Sequence, residues 1–195
     1  MRPAHRLVAA TASLAGAAVL FASPAIAAQP GSPGAPVSDP RLSGPGVDIS
    51  VTIPTGWHQI GAYHQIPQMV YPKACSVGIE CAFAAARVFS GQDRSAQIAV
   101  EAVEQGIAGS PSIQGATVTN EGPAQIAGRP GYHVRFTYST PNAKFQAEAA
   151  AVETGPTSSD GVRISGVLVF VSDLAGAPSA SVIDQIVGST QLTGQ

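Results

Sequence analysis

Three histidines after residue 27 are the side chains with the widest choice of chemistry in this chain. His58 and His64 follow Trp57 closely, and His133 lies on the polar face of a predicted strand. Three imidazoles can hold zinc and leave a fourth coordination position open for catalysis. The spacing of these histidines, however, does not match the paired ligands of zinc motifs. We therefore expect three separate surface histidines and no metal or cofactor, with a shared zinc site as the alternative.

The hydroxyl and carboxylate side chains show no catalytic pattern. No G-x-S-x-G elbow is present, because Ser110 has a glycine on one side alone and Ser165 likewise. Glu148 and Glu153 fall on opposite sides of a predicted strand, so they do not form a simple carboxylate pair. A Ser-His-Asp triad can still assemble in space from distant residues. We therefore predict that the protein is not an enzyme, and a small hydrolase built around the histidines is the alternative.

A candidate binding segment runs from His58 to Pro72, directly after Trp57, and carries no acidic residue, lysine or arginine. An uncharged loop rich in apolar and aromatic side chains suits contact with a ligand or a partner. The candidate ligand- or partner-binding residues are Trp57, His58, Ile60, Tyr63, His64, Ile66, Met69 and Tyr71. The alternative is that the segment folds back and covers the sheet. For Trp57 itself, core packing at the edge of the sheet is the favoured role, and binding is the other.

The N-terminal residues predict export. A basic start with Arg2 and Arg6, an apolar run over 7–22, and small residues at Ala25 and Ala27 make up the three parts of a secretory signal peptide. Residues 1–27 are therefore predicted to be a signal peptide, and no later segment is long and apolar enough to span a bilayer. No cysteine stands immediately after the cleavage point. We therefore expect a secreted or cell-wall-associated protein that is not lipid-anchored.

The two cysteines, Cys75 and Cys81, lie shortly after the candidate binding segment. In an exported protein an even number of cysteines predicts a disulfide bond, here around a short loop. The spacing is not C-x-x-C and there is no second pair, which argues against a redox or metal site. Two free thiols, one of them buried, are the alternative.

Composition and charge set the domain boundaries and exclude some partners. Residues 28–45 are rich in proline and glycine and are predicted to be a disordered linker, so the folded domain is predicted over 46–193. The full chain has a net charge of −2, and cleavage of the leader removes the basic residues Arg2 and Arg6, which makes the net charge of the mature chain more negative. Nucleic acids and anionic membranes require clustered basic residues. Both are therefore excluded as general partners.

The hydrophobic pattern of this domain alternates with the period of a strand and changes twice to the period of a helix. Strands are predicted at 47–53, 66–71, 82–89, 116–121, 132–139, 145–153 and 162–171. The prolines in 66–71 restrict that strand to an edge, and the continuous apolar run over 162–171 predicts a central strand. Helices are predicted at 93–107 and 178–187. Because the links between the later strands are too short for parallel crossovers, we predict an α+β domain with a central antiparallel β-sheet flanked by helices.

Several of these segments carry short motifs in a fixed order. They are Pro54-Thr55-Gly56-Trp57 after the first strand, Gly128-Arg129-Pro130-Gly131 before a long strand, and Ile186, Ser189 and Leu192 near the C-terminus. In this order the chain resembles the LpqN/LpqT family of actinobacterial envelope proteins, within the PsbP-like superfamily. The resemblance implies a PsbP-like α/β/α sandwich and an exported accessory or binding protein without a shared enzymatic centre. Many members of the family are lipoproteins, and this chain departs from them because it lacks the anchoring cysteine.

These observations lead to one prediction of function with two alternatives. We predict a non-enzymatic binding or accessory protein of the cell envelope, which binds a hydrophobic ligand or a partner protein through the loop region from Trp57 to Cys81. A small hydrolase acting on envelope material is the first alternative. A purely structural or antigenic secreted protein is the second.

Overall fold

The computed structural model describes residues 39–63, 66–72, 82–159 and 161–193. In this part of the chain a large sheet of seven strands and a small sheet of three strands pack with two helices. The strands are β1 (Arg41–Leu42), β2 (Ile49–Thr52), β3 (His58–Tyr63), β4 (Ile66–Tyr71), β5 (Ala84–Asp93), β6 (Gln114–Ile126), β7 (Arg129–Ser139), β8 (Lys144–Ser158), β9 (Gly161–Ser172) and β10 (Gln191–Leu192). The helices are α1 (Ala96–Ala108) and α2 (Ser181–Gly188).

The large sheet has the strand order β3-β4-β5-β9-β8-β7-β6, and its neighbours pair antiparallel. The small sheet has the order β1-β2-β10. The predicted antiparallel α+β class is confirmed, and β9, the strand with the continuous apolar run, is central as predicted. Both faces of β9 are covered, which explains why its residues do not alternate between apolar and polar.

Each face of the large sheet has a separate core. On one face, here called the α1 face, Val100 of α1 packs with Val134 and Phe136 of β7 and with Ile164 of β9. On the opposite face, the α2 face, Ile183 and Ile186 of α2 pack with residues of β5, β8 and β9. The small sheet shares this second core. The arrangement thus differs from the predicted helix-flanked sandwich, because a helix and three short strands together cover the α2 face.

The folded part begins before the predicted boundary at residue 46. Leu42 of β1 is fully buried, and Arg41 connects β1 to β2 and to the end of α2. The Arg41 guanidinium donates to Ser50 Oγ at 2.9 Å, to Thr52 Oγ1 at 3.0 Å and to the Ser189 carbonyl oxygen at 2.6 Å. A cation at the carboxyl end of a helix also interacts favourably with the helix dipole. Residues 39–45 therefore belong to the domain rather than to the linker.

The segment after Trp57 forms a β-hairpin, β3–β4, rather than a loop. β4 lies between β3 and β5, so the prediction that its prolines restrict it to an edge is wrong. Pro67 is accommodated because it falls in the irregular part of the hairpin, between the pairs Ile60–Gln68 and Tyr63–Ile66. A proline cannot donate to the ladder, and a bulge is one of the places in a sheet where no such donor is required.

Other strands also extend beyond their predicted ends. β5 continues beyond its predicted end at residue 89, through Ser90 and Gly91, because β9 pairs with it as far as Asp93. β8 runs to Ser158, beyond its predicted end at residue 153. In each case the partner strand supplies hydrogen bonds that local sequence preference does not reveal.

Candidate functional site

The described residues of the predicted binding segment divide between the two faces of the large sheet. Trp57 is 5% exposed and Met69 is fully buried, and both belong to the core of the α2 face. Tyr71 packs against the same core, with its ring centroid 6.1 Å from that of Trp57. These three side chains stabilise the fold, and two of them present almost no surface to a ligand.

His58 and Ile60 point to the α1 face instead. Ile60 packs with the buried residues Val70 and Ala85, and His58 is directly opposite Val70 in the hairpin. Ile66 is half-buried at the start of β4. The side chain of Tyr63, all of His64 and the predicted disulfide between Cys75 and Cys81 lie outside the described residues. The described members of the predicted site therefore do not form one accessible surface.

The histidines do not come together in the described part of the chain. His58 is on β3 at one edge of the large sheet, and His133 is on β7, five strands away. At ~4.8 Å per strand, this separation is about 24 Å, far beyond the reach of a shared metal ion. Within the described residues no cluster of three or more His, Cys, Asp or Glu side chains could hold a metal ion.

The structure instead places an ionic cluster on the α2 face, where β7, β8 and α2 meet. At its centre is Glu148 of β8, whose side chain is 5% exposed. Glu148 Oε1 is 3.0 Å from Nδ1 of His133, and Glu148 Oε2 accepts from Arg135 Nε at 2.9 Å and also from Arg135 Nη2. Arg135 Nη2 donates in addition to Asp184 Oδ1 of α2. We call these four residues, His133, Arg135, Glu148 and Asp184, the ionic cluster.

The cluster follows from strand register. Arg135 and Glu148 are directly paired between β7 and β8, and His133 is on the same side of β7, two residues before Arg135. The alanines beside Glu148 in sequence, Ala147 and Ala149, point to the α1 face, so Glu148 itself points to the α2 face. A buried carboxylate is tolerated when its oxygens are bonded, because an unpaired buried charge costs several kcal/mol.

The arginine of the cluster is held as a permanent cation. Partial burial acts to lower the pKa of Arg135, but its hydrogen bonds and charge interactions with Asp184 and Glu148 outweigh that effect and raise the pKa above its usual value. The guanidinium side chain is 34% exposed, while the Asp184 side chain is 64% exposed. The cluster therefore extends from a buried acid to the protein surface through one arginine.

A groove of about 510 Å³ adjoins this cluster. Its lining residues come from the ends of β6, β7, β8 and β9 and from the segment before α2: Gly115, Thr137, Tyr138, Ser139, Lys144, Phe145, Gln146, Val171, Ser172, Asp173, Pro178 and Ala180. Thr137 and Gln146 form the pair next to Arg135 and Glu148 on the same side of the two strands. Two residues along a strand cover roughly 7 Å, so the groove and the ionic cluster are neighbours.

The chemistry of this region suits binding. The groove is open to solvent and mixes hydroxyl, amide and charged groups with apolar ones, in contrast to an enclosed apolar cavity for a lipid tail. A His–carboxylate pair also occurs in hydrolases, where the histidine contacts a nucleophile. Among the described residues, however, no serine or threonine hydroxyl is hydrogen-bonded to His133. Ser165 is fully buried, and its Oγ accepts from the backbone N–H of Asp48 at 3.0 Å.

The sequence contained a signal for this cluster that pattern analysis missed. Glu148 stands alone among alanines in the run from Ala147 to Ala151, and an isolated acid in a buried strand requires a partner. The polar face of β7, with His133 and Arg135, is confirmed as predicted. The partnership between the two strands depends on their register, and Asp184 is 49 residues from Arg135 in sequence.

The protein is thus an α+β protein with a large antiparallel sheet, a helix on each face of that sheet, a small accessory sheet and an open groove at the strand ends. No protein-family model matches the chain, and no curated protein matches it in sequence. Within the described residues, no helix combines the length and the apolar character needed to cross a membrane.

Among solved structures, the chain is similar to LpqN of Mycobacterium tuberculosis, described as involved in cell envelope biogenesis. The TM-score is 0.52 at 13% sequence identity, over 75% of this chain and 83% of LpqN. A protein from Bacteroides thetaiotaomicron has a TM-score of 0.49 at 11% identity, over 80% of this chain and 49% of that one. Cyanobacterial PsbP from Synechocystis has a TM-score of 0.45 at 13% identity, over 83% of this chain and 98% of that one. The chain thus has an LpqN-like fold, as the sequence resemblance predicted.

Proposed function

We propose that this protein is an exported accessory protein of the cell envelope, which acts by binding a partner protein in the groove beside α2. The observation that carries the proposal is the groove itself, which lies next to a fixed ionic cluster on the α2 face. Export rests on the predicted signal peptide. The envelope role rests on that prediction together with the LpqN-like fold, because LpqN is described as an envelope biogenesis protein.

The character of the groove favours a segment of a partner protein over an isolated hydrophobic ligand. Lys144 and Asp173 bring opposite charges to the lining, Thr137 and Gln146 bring polar groups, and Val171 and Pro178 bring apolar ones. Interfaces between proteins commonly combine an apolar centre with a polar rim. A lipid-like ligand instead gains most from an enclosed apolar pocket, where its surface is removed from water.

Site-specific photocrosslinking in a mycobacterial host tests this proposal. A photoreactive amino acid replaces Gln146 in the groove, and in a matched control it replaces Gln97 on α1, on the opposite side of the large sheet. Both glutamines are exposed. We expect the full precursor to be exported and processed, and the groove probe to crosslink one discrete envelope protein that the control probe does not reach.

Two results would contradict the proposal. One is the same set of crosslinked products from both positions, since a specific groove interaction requires a difference between them. The other is retention of the unprocessed protein in the cytoplasm. If the groove probe crosslinks to lipid and not to protein, the groove binds a hydrophobic ligand and the proposal of a partner protein is wrong.

A further inference from the structure

The orientation of Arg135 is fixed from below by a buried acid. Glu148 bonds both Nε and Nη2 of the guanidinium and also contacts His133, so one edge of Arg135 is committed to the sheet. A planar guanidinium held in this way has lost much of its side-chain freedom before any ligand arrives. Such preorganisation lowers the cost of binding an anion, because less conformational entropy remains to be lost.

The opposite end of the cluster is a surface contact. Asp184 is 64% exposed and reaches Arg135 from the first turn of α2. Exposed ion pairs contribute little to stability, because water and salt compete with them. Asp184 can therefore leave Arg135 at low cost, whereas Glu148 cannot.

We infer that Arg135 is the anion anchor of the groove, and that Asp184 occupies the anion position until a ligand carboxylate or phosphate replaces it. The inference rests on the proposed function, since it concerns the ionic cluster that adjoins the groove. A planar carboxylate and a tetrahedral phosphate can each accept two parallel hydrogen bonds from one guanidinium group. In this arrangement Asp184 is an internal competitor, so a ligand must bring an acidic group to Arg135 in order to bind fully.

The charges around Arg135 are consistent with exchange rather than addition. Glu148 and Asp184 already offset the positive charge of Arg135, so a second free anion would meet repulsion while Asp184 remains in place. Removal of Asp184 from contact leaves the guanidinium with one buried partner and an accessible edge. The inference therefore predicts that neutralising Asp184 increases anion affinity, whereas a purely structural ion pair predicts no gain.

The test uses two probes, inorganic phosphate and succinate, titrated into the isotopically labelled full mature chain at constant ionic strength. The readout is the NMR signal of the Arg135 side-chain Nε–H. We expect at least one of the two probes to shift this signal saturably in Asp184→Asn. The affinity of Asp184→Asn for that probe should be roughly two- to fivefold higher than the affinity of the wild type, as expected for loss of an exposed ion pair. Phosphate alone or succinate alone then identifies the source of the anionic group.

Two variants complete the test. Arg135→Gln combined with Glu148→Gln removes the anchor without leaving a buried carboxylate unpaired, and we expect at least a tenfold loss of affinity, followed through backbone signals of β7. Arg163→Gln is the matched control, because Arg163 also pairs with an aspartate, Asp48, at 3.3 Å, but outside the cluster. It should bind as the wild type does.

The inference is overturned if Asp184→Asn binds no more tightly than the wild type, if the double variant retains its affinity, or if neither probe shifts the Arg135 signal. These outcomes are independent of the crosslinking result. A positive titration with no groove-specific crosslink would leave the anion anchor in place and reject the partner-protein function. A groove-specific crosslink without anion binding would do the reverse.

Discussion

Replacement of Arg135 by alanine is the most direct test of the ionic cluster. The change removes two of the three hydrogen bonds that Glu148 receives and leaves His133 as its remaining described partner. Breaking a buried ion pair costs ~3–5 kcal/mol, and because Arg135 is partly exposed we expect the lower end, about 3 kcal/mol of unfolding free energy. With a urea m-value of about 2 kcal/mol/M, the unfolding midpoint should fall by roughly 1.5 M.

The control for this experiment is Arg163→Ala. Arg163 is 56% exposed and its contact with Asp48 is 3.3 Å, so its loss should cost only about 0–1 kcal/mol. The double variant Arg135→Ala/Glu148→Ala should recover part of the loss, since it removes the stranded carboxylate. If Arg135→Ala lowers the midpoint no more than Arg163→Ala does, then Glu148 does not depend on Arg135 and the account of the cluster is wrong.

Four further changes have distinct expected outcomes. Arg41→Ala should lower the thermal unfolding temperature by an amount equivalent to about 1–3 kcal/mol, because the Arg41 guanidinium connects β1, β2 and the end of α2. An unchanged unfolding temperature would mean that β1 is not part of the domain. Gly166→Ala should destabilise the domain by about 1–3 kcal/mol or more, since a Cβ would lie 2.4 Å from Phe89 Cζ and 2.7 Å from the Ala150 carbonyl oxygen. Gly91→Ala meets no atom within 4 Å and should unfold as the wild type does when followed by circular dichroism. Ser95→Ala should cost about 1 kcal/mol in urea unfolding, since Ser95 Oγ caps α1 at Ile98 N, and Ser95→Asp should retain most of that stability. Burial raises the pKa of Tyr138, with a smaller opposing effect of Arg87. The unfolded chain therefore releases the phenolic proton at a lower pH than the folded chain does, and the free energy of unfolding should decline above about pH 10. Tyr138→Phe should remove this part of the alkaline decline.

Because the predicted binding segment forms a β-hairpin of the large sheet, its deletion is not a usable test of binding. Deletion of Ile60 to Val70 would be a clean test of binding if this segment were a surface loop. In the structure the deletion removes most of β3 and β4 and takes Met69 out of the core. It would therefore unfold the edge of the large sheet, and single substitutions at Gln146 and Asp184 are the informative changes.

Local periodicity predicted much of the fold. Alternation along β7 and the continuous apolar run of β9 gave their location, and the apolar stripe with Val100 and Val103 predicted α1. These patterns are readable because burial on one face repeats with the period of the element itself. Strand ends were less well predicted, since Ser90 and Gly91 are held in β5 by pairing with β9 and not by their own preference.

The ionic cluster required information that the sequence does not carry locally. Arg135 and Glu148 each read as ordinary polar residues, and their pairing depends on the register that the β7–β8 hairpin adopts. Asp184 reaches them because α2 packs across β8 and β9, a contact set by the fit of Ile183 and Ile186 into a distant core. Side-chain chemistry at a site is the product of such long-range packing, while periodicity reports the nearest neighbours alone.

The sequence by itself therefore determined the predicted signal peptide, the α+β class, the central strand and the identities of the polar residues on β7, since each of these depends on composition or on a repeat within one element. Tertiary structure alone decided that Met69 is a core residue, that His58 and His133 are far apart, and that Glu148, Arg135 and Asp184 meet beside a groove. The physical reason is that strand order, register and helix docking are fixed by contacts between residues that are remote in sequence.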